Sequence, residues 1–140
     1  MNANKPGYTL TMSNEQTKAV LKSVELLMRL KINQPEEIPR SVLNWGDGLS
    51  VDEWCRRRDK AEPLLRQAFS ELFPTWQDVK KDKEWHRLYD LCQVIRYAIH
   101  EAENPEGTGV DSYPPMCTAG EKMAKCEVLK QDGHINRSSV

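Results

Sequence analysis

Between residues 82 and 103, the side chains Trp85, Leu88, Tyr89, Cys92, Ile95, Ile99 and Ala102 recur at three- and four-residue intervals, the spacing that lines one face of an α-helix. A helix of about six turns with one continuous apolar stripe has to bury that stripe, so the rest of the chain must cover it. The spacing therefore predicts a central helix over 82–103. Asn104-Pro105-Glu106-Gly107-Thr108-Gly109 stops it, and residues 110–113 are expected to be extended before Pro114-Pro115.

Two other stripes supply the cover. Ser13 and Gln16 form a capping-box pair, after which Val20, Leu21, Val24, Leu27, Met28 and Leu30 follow at helical spacing until Pro35. Ser50 and Glu53 form a second such pair, followed by Trp54, Arg58, Ala61, Leu65, Ala68 and Leu72 up to Phe73-Pro74. Pro63 falls inside this run, removing a backbone donor and crowding the preceding turn; it predicts either a kink near Ala61 or two helices. A single helical turn is expected over 36–40, then an irregular connection through residue 48.

Tyr8, Leu10 and Met12 alternate with Thr9 and Thr11, a period of two that predicts a short strand paired with another subunit or with a short C-terminal strand. The expected fold is therefore mainly α with a short N-terminal β-strand (α+β) and three to four helices. One domain over 1–117 is followed by a polar, weakly ordered tail over 118–140, whose Met123, Cys126, Val128 and Leu129 are available to dock on a partner.

Charge narrows the function classes. The 140-residue chain carries 20 basic and 21 acidic side chains, so it lacks the general positive field of a protein that binds nucleic-acid polymers or anionic lipid. No apolar run reaches the roughly 18 to 20 residues that span a bilayer, and the first residues lack the apolar segment of a signal peptide; the expected location is the cytoplasm. Cys55, Cys92, Cys117 and Cys126 form no CxxC pair and read as free thiols, and Cys117, Cys126 and His134 match no common zinc spacing. No phosphate-binding glycine loop, nucleophile elbow or metal-binding carboxylate array is present. Neither catalysis nor a cofactor is expected.

Arg56-Arg57-Arg58 fans over about 200° of a helix, and with Asp52, Glu53 and Asp59 beside it predicts local ion pairs on a solvated face. Gln93, Arg96, Tyr97 and His100 share one flank of the last helix with Asp90 nearby. Such a face is ordinarily solvated or part of an interface. It also holds a planar cation, an amide and an aromatic ring, groups suited to a phosphorylated nucleotide. Arg29, just before Asn33-Gln34, is the second cation if the first and last helices lie side by side.

The order of segments, TLTMSNEQTKAVLKSVELLMRLKINQPEEI, then Leu72-Phe73-Pro74, YDLCQVIRYAI and NPEG, resembles a group of small proteins encoded by phages and prophages. Their first helix ends in a Ser-Arg stretch with Gly-Gln, and their last reads Tyr-Asp-x-x-Gln-Val-Ile-Arg. Met28 and Asn33 stand here where that pattern has Ser and Gly. The likeness runs over residues 8–115. It extends to the first type of Thoeris anti-defence proteins, oligomeric sponges that hold cyclic ADP-ribose signals and, in some members, cyclic oligonucleotides. The resemblance implies a homo-oligomer that sequesters a cyclic nucleotide between subunits without turnover, with Arg29, Gln34, Asp90, Gln93 and Arg96 as the motif-matched positions. The alternative function is a protein-interaction module acting on a host or phage protein through Trp45, Phe73, Trp76 and the tail.

Overall fold

The computed structural model describes residues 6–43, 48–73 and 78–129. Among the described residues four α-helices follow in order: α1 (Asn14–Lys31), α2 (Glu37–Val42), α3 (Val51–Leu72) and α4 (Lys83–Glu103), with 3-10 turns at Val79–Lys81 and Val110–Ser112. None of the described helices is long and apolar enough to cross a membrane.

The start of α1 follows from its first four residues. Ser13 Oγ accepts from the Gln16 amide at 3.1 Å and Gln16 Oε1 accepts from the Ser13 amide at 2.9 Å, so two otherwise orphaned donors are satisfied. Its other end closes through Asn33, held at φ 59°. The Asn33 amide donates to Leu30 O at 3.0 Å and the Gln34 amide to Arg29 O at 3.1 Å, the Schellman arrangement. That conformation favours glycine and tolerates asparagine.

α3 runs unbroken through Pro63, so the helix is not split there. Ser50 Oγ accepts from the Glu53 amide at 3.2 Å. The reciprocal half of the expected capping box is absent because the Glu53 carboxylate turns instead to Arg56 and Arg57. Trp54 Nε1 donates to Leu43 O at 3.3 Å, and Arg66 reaches Glu36 at 3.0 Å, tying α3 to the α2 region. No residue of α3 is buried; the core cover expected of its stripe stops at half-burial for Trp54, Arg58, Ala61 and Leu65, while Ala68 and Leu72 face solvent.

α4 is the central helix, packed along α1 and under the Val110–Ser112 turn. Cys92, Val94, Ile95 and Ala98 are buried with Met28 of α1. Val94 and Ala98 lie beside the expected stripe because α4 is covered from two directions, whereas Ala102 is exposed at its end. Trp85 and Tyr89 stack one turn apart at 5.3 Å.

The expected strand over 8–12 is not formed: no strand occurs among the described residues, and Tyr8 and Leu10 are 88% and 78% exposed. A single strand without a ladder partner leaves its backbone groups to water. The other candidate extended segment, Val110–Ser112, is a 3-10 turn.

Asp82 joins two helices. Its Oδ1 accepts from the Trp85 amide at 3.1 Å, capping α4, and its Oδ2 takes Lys31 Nζ at 3.1 Å; Lys31 also meets Glu84 at 3.1 Å. The Trp85 amide, with Lys31 against the opposing effect of burial, holds the Asp82 carboxyl below its ordinary range. Asp82→Ala is expected to cost about 1–2 kcal/mol by urea unfolding at neutral pH. The difference from the parent should shrink as pH falls below about 4, where Asp82 is protonated in the unfolded and then in the folded chain. An equal cost at pH 7 and pH 2 would rule out the carboxylate as its source.

Candidate functional site

α1 and α4 run against each other, which brings the two expected cations to one seam. Arg29 lies on the last turn of α1 and Arg96 one turn beyond Cys92 on α4. Both are close enough to act on the fully buried Cys92 thiol, as is Glu25. Burial and Glu25 push that thiol up to about 11, while Arg96 and Arg29 oppose them. Cys92 is therefore a neutral core side chain and not a nucleophile.

The two arginines are held by neighbours. Arg96 pairs with the Glu25 carboxylate, and Arg29 Nη1 donates to Gln34 Oε1 at 3.0 Å. Arg96 and Glu25 are each about 30% exposed, so the pair is open to solvent on one side. Glu25 had no signal in the sequence beyond a place on the polar flank of α1.

Beyond Arg96, a cleft of about 230 Å³ opens between α1, α4 and the Val110–Ser112 turn. Leu21 and Ile99 form its apolar wall; Arg96, Glu103 and Asp111 bring charge to it, and His100 adds a polar ring. Glu103 is committed to Lys18 at 2.6 Å and to Asn14 at 2.9 Å, and these partners, Lys18 first, hold its carboxyl low. The cleft is smaller than the roughly 300–1,000 Å³ usual for a small-molecule site. Tyr97 is half-buried on α4 and does not line this cleft.

Asp90 and Gln93 serve a different purpose. Asp90 is 6% exposed and accepts from the Thr118 amide at 2.9 Å, Thr118 Oγ1 at 2.6 Å and the Ala119 amide at 2.9 Å. Gln93 exchanges two bonds with the backbone of Met116, donating at 3.0 Å and accepting at 3.1 Å. Arg87 adds a bidentate pair with Glu121, its Nε 2.8 Å from the carboxylate. His86 bridges Thr118 Oγ1 and Lys80 O, both at 3.1 Å. One polar edge of α4 thus clamps residues 116–121, a stretch that straddles the expected boundary at 117. Of the seven site positions, Arg29 and Gln34 pair with each other at the end of α1, Arg96 and His100 line the cleft, and Tyr97 does not; Asp90 and Gln93 hold the chain's own C-terminal segment.

The remaining candidates resolve simply. Arg56 and Arg57 share Glu53, and Arg58 pairs with Asp59 while lying 4.8 Å over the Trp54 ring, the local pairing that the mixed charges predict. Arg56 and Arg57 draw the Glu53 carboxyl down to about 2. All four cysteines are free, and no group of three or more potential metal ligands occurs among the described residues. Trp45, Trp76 and His134 lie outside the described residues. Comparison of the chain with protein-family models, with curated proteins and with solved structures found no match.

Proposed function

We propose that this protein is a non-catalytic, homo-oligomeric binding protein that sequesters a small cyclic nucleotide signal of cyclic ADP-ribose or cyclic oligonucleotide type, acting as a phage anti-defence protein in the host cytoplasm. The observation that carries the reading is the packing of α1, with Arg29 on its last turn, along α4, which carries Arg96. Two guanidinium groups, one held by Gln34 and one by Glu25, are the donors that bidentate phosphate binding requires. A phosphate would take the place of the Glu25 carboxylate on Arg96, at the half of the pair open to solvent. The 230 Å³ cleft is too small to enclose a nucleotide by itself, so a second subunit would complete the enclosure. His100 and Tyr97 would meet the base or ribose.

A thermal-shift screen against cyclic ADP-ribose isomers and cyclic di- and trinucleotides tests this. Ligand at about 100 times its dissociation constant adds about 2.7 kcal/mol to a one-site protein. Arg96→Ala should weaken the binding so found by about 2 kcal/mol, roughly 30-fold. Its pair with Glu25 is partly solvated, so the unliganded protein should lose less than about 1 kcal/mol. Absence of a shift with every compound, in folded protein, would sink the nucleotide reading.

The second reading is a protein-interaction module that inhibits or adapts a host or phage protein. It is favoured by the exposed leucines of α3 and by the commitment of Asp90 and Gln93 to the chain's own tail. Capture of a specific protein partner, with no nucleotide released on heating the purified protein, would select it.

A further inference from the structure

Burial over residues 110–117 repeats every three positions. Ser112 and Pro115 are half-buried, whereas Val110, Asp111, Tyr113, Pro114, Met116 and Cys117 are exposed. That period belongs to a backbone with three residues per turn resting on one of its three edges. The residues themselves dictate such a backbone. Proline fixes its own φ near about −65° and pushes the residue before it towards extended or polyproline II geometry, so Tyr113-Pro114-Pro115 is constrained at three successive positions. Tyr113, at φ −85° and ψ 135°, lies close to the polyproline II values.

Both ends of the segment are fixed to α4. The Val110–Ser112 turn packs on it, and the Met116 backbone exchanges two hydrogen bonds with Gln93. Between these anchors, the carbonyls of residues 113–115 accept no hydrogen bond among the described residues. Pro114 and Pro115 have no N–H to give, so a partner strand would find no ladder donors there. Val110, Tyr113 and Met116 share one edge and are 79%, 71% and 71% exposed. On a polyproline II backbone Tyr113 and Met116 stand one turn, about 9 Å, apart.

We propose that residues 110–116 are a presented polyproline II ligand for a protein partner whose groove is lined by aromatic side chains. The Tyr113 and Pro114 rings pack between such side chains, and the uncommitted carbonyls take hydrogen bonds from indole or phenol donors in the groove. A segment already held at both ends has little conformational freedom left to lose on binding. Asp111, exposed on the same edge as Pro114, selects a groove with a basic rim. None of Val110, Tyr113 and Met116 lines the cleft at Arg96, so the segment serves alongside a nucleotide site or without one.

The test titrates the full, nitrogen-15-labelled chain with purified SH3, WW and EVH1 domains, all aromatic-groove readers of polyproline II. At least one domain should bind with a micromolar dissociation constant and move the amide resonances of residues 110–117 while leaving those of α3 in place. With that domain, Tyr113→Ala and P114A/P115A should each weaken binding at least about tenfold. Leu64→Ala, an exposed apolar change on α3, should leave it unaltered. Tyr113→Ala removes only an exposed side chain, and unmoved Thr118 and Ala119 amides in that variant show that the clamp on Asp90 is intact. No binding by any of these domains up to millimolar concentration overturns the proposal, as does binding that survives both Tyr113→Ala and P114A/P115A. Equal loss in Leu64→Ala overturns it too, by moving the contact to α3. Nucleotide enters none of these readouts, so the segment and the nucleotide site fail or stand separately.

Discussion

Asp90→Ala is expected to lower stability by about 3 kcal/mol, near the lower end of what removing one side of a buried charge-assisted contact costs. Three donors, from Thr118 and Ala119, converge on this 6%-exposed carboxylate. Thr118 itself is exposed and regains water when released, which keeps the cost from rising further. The same change should detach residues 116–121 from α4 and remove the exchange protection of the Thr118 and Ala119 amides. Asp90→Asn, which retains one accepting oxygen, should fall between the two. A loss under 1 kcal/mol with both amides still protected would show that the tail is held by other contacts.

The pH dependence follows from the same geometry. Burial raises the Asp90 carboxyl, but the bonds from Thr118 and Ala119, with the nearby His86, outweigh it and bring it below its ordinary value. A depressed carboxyl contributes stability that is complete above the unfolded value of about 4 and disappears as pH falls through the folded value. Parent and Asp90→Ala proteins should therefore converge in acid and diverge towards neutrality.

Ile95→Ala is the second change with a large expected effect, about 3 kcal/mol, from lost transfer energy plus the cavity left behind. Ile95 is 5% exposed, in a core whose buried apolar side chains include Met28, Cys92, Val94 and Ala98. In so small a core neighbouring side chains can close little of the gap, and against a total stability of roughly 5–15 kcal/mol the loss should be visible as a lower urea midpoint at unchanged slope. Val110→Ala, at a position 79% exposed, should move the midpoint negligibly. Equal shifts for the two variants would mean that the α1–α4 seam is not the core.

Sequence reading and structure agree where the deciding atoms are three or four residues apart. Ser13 with Gln16 and Ser50 with the Glu53 amide mark helix starts in both, and Arg56-Arg57-Arg58 finds the acids beside it. The stripe of α4 is likewise legible, because an unbroken apolar face of that length has to be covered. The same periodicity misleads for α3. An amphipathic stripe states that a face seeks burial, but the described chain leaves part of this one to solvent. Tyr8, Leu10 and Met12 alternate as a strand does, yet alternation supplies no partner for the ladder.

The candidate site divides in the same manner. Spacing alone groups Asp90, Gln93, Arg96, Tyr97 and His100 on one flank of α4, and packing then separates them: Asp90 and Gln93 meet residues more than 20 positions later in the chain, while Arg96 meets Glu25, 71 positions earlier. Local hydrogen bonding and side-chain periodicity were determined by the sequence itself, since they depend on backbone geometry that every helix shares. Which faces are covered, which polar groups are consumed by the chain's own tail, and which carboxylate Arg96 meets were decided only by the tertiary structure, because those contacts depend on how distant segments are brought together.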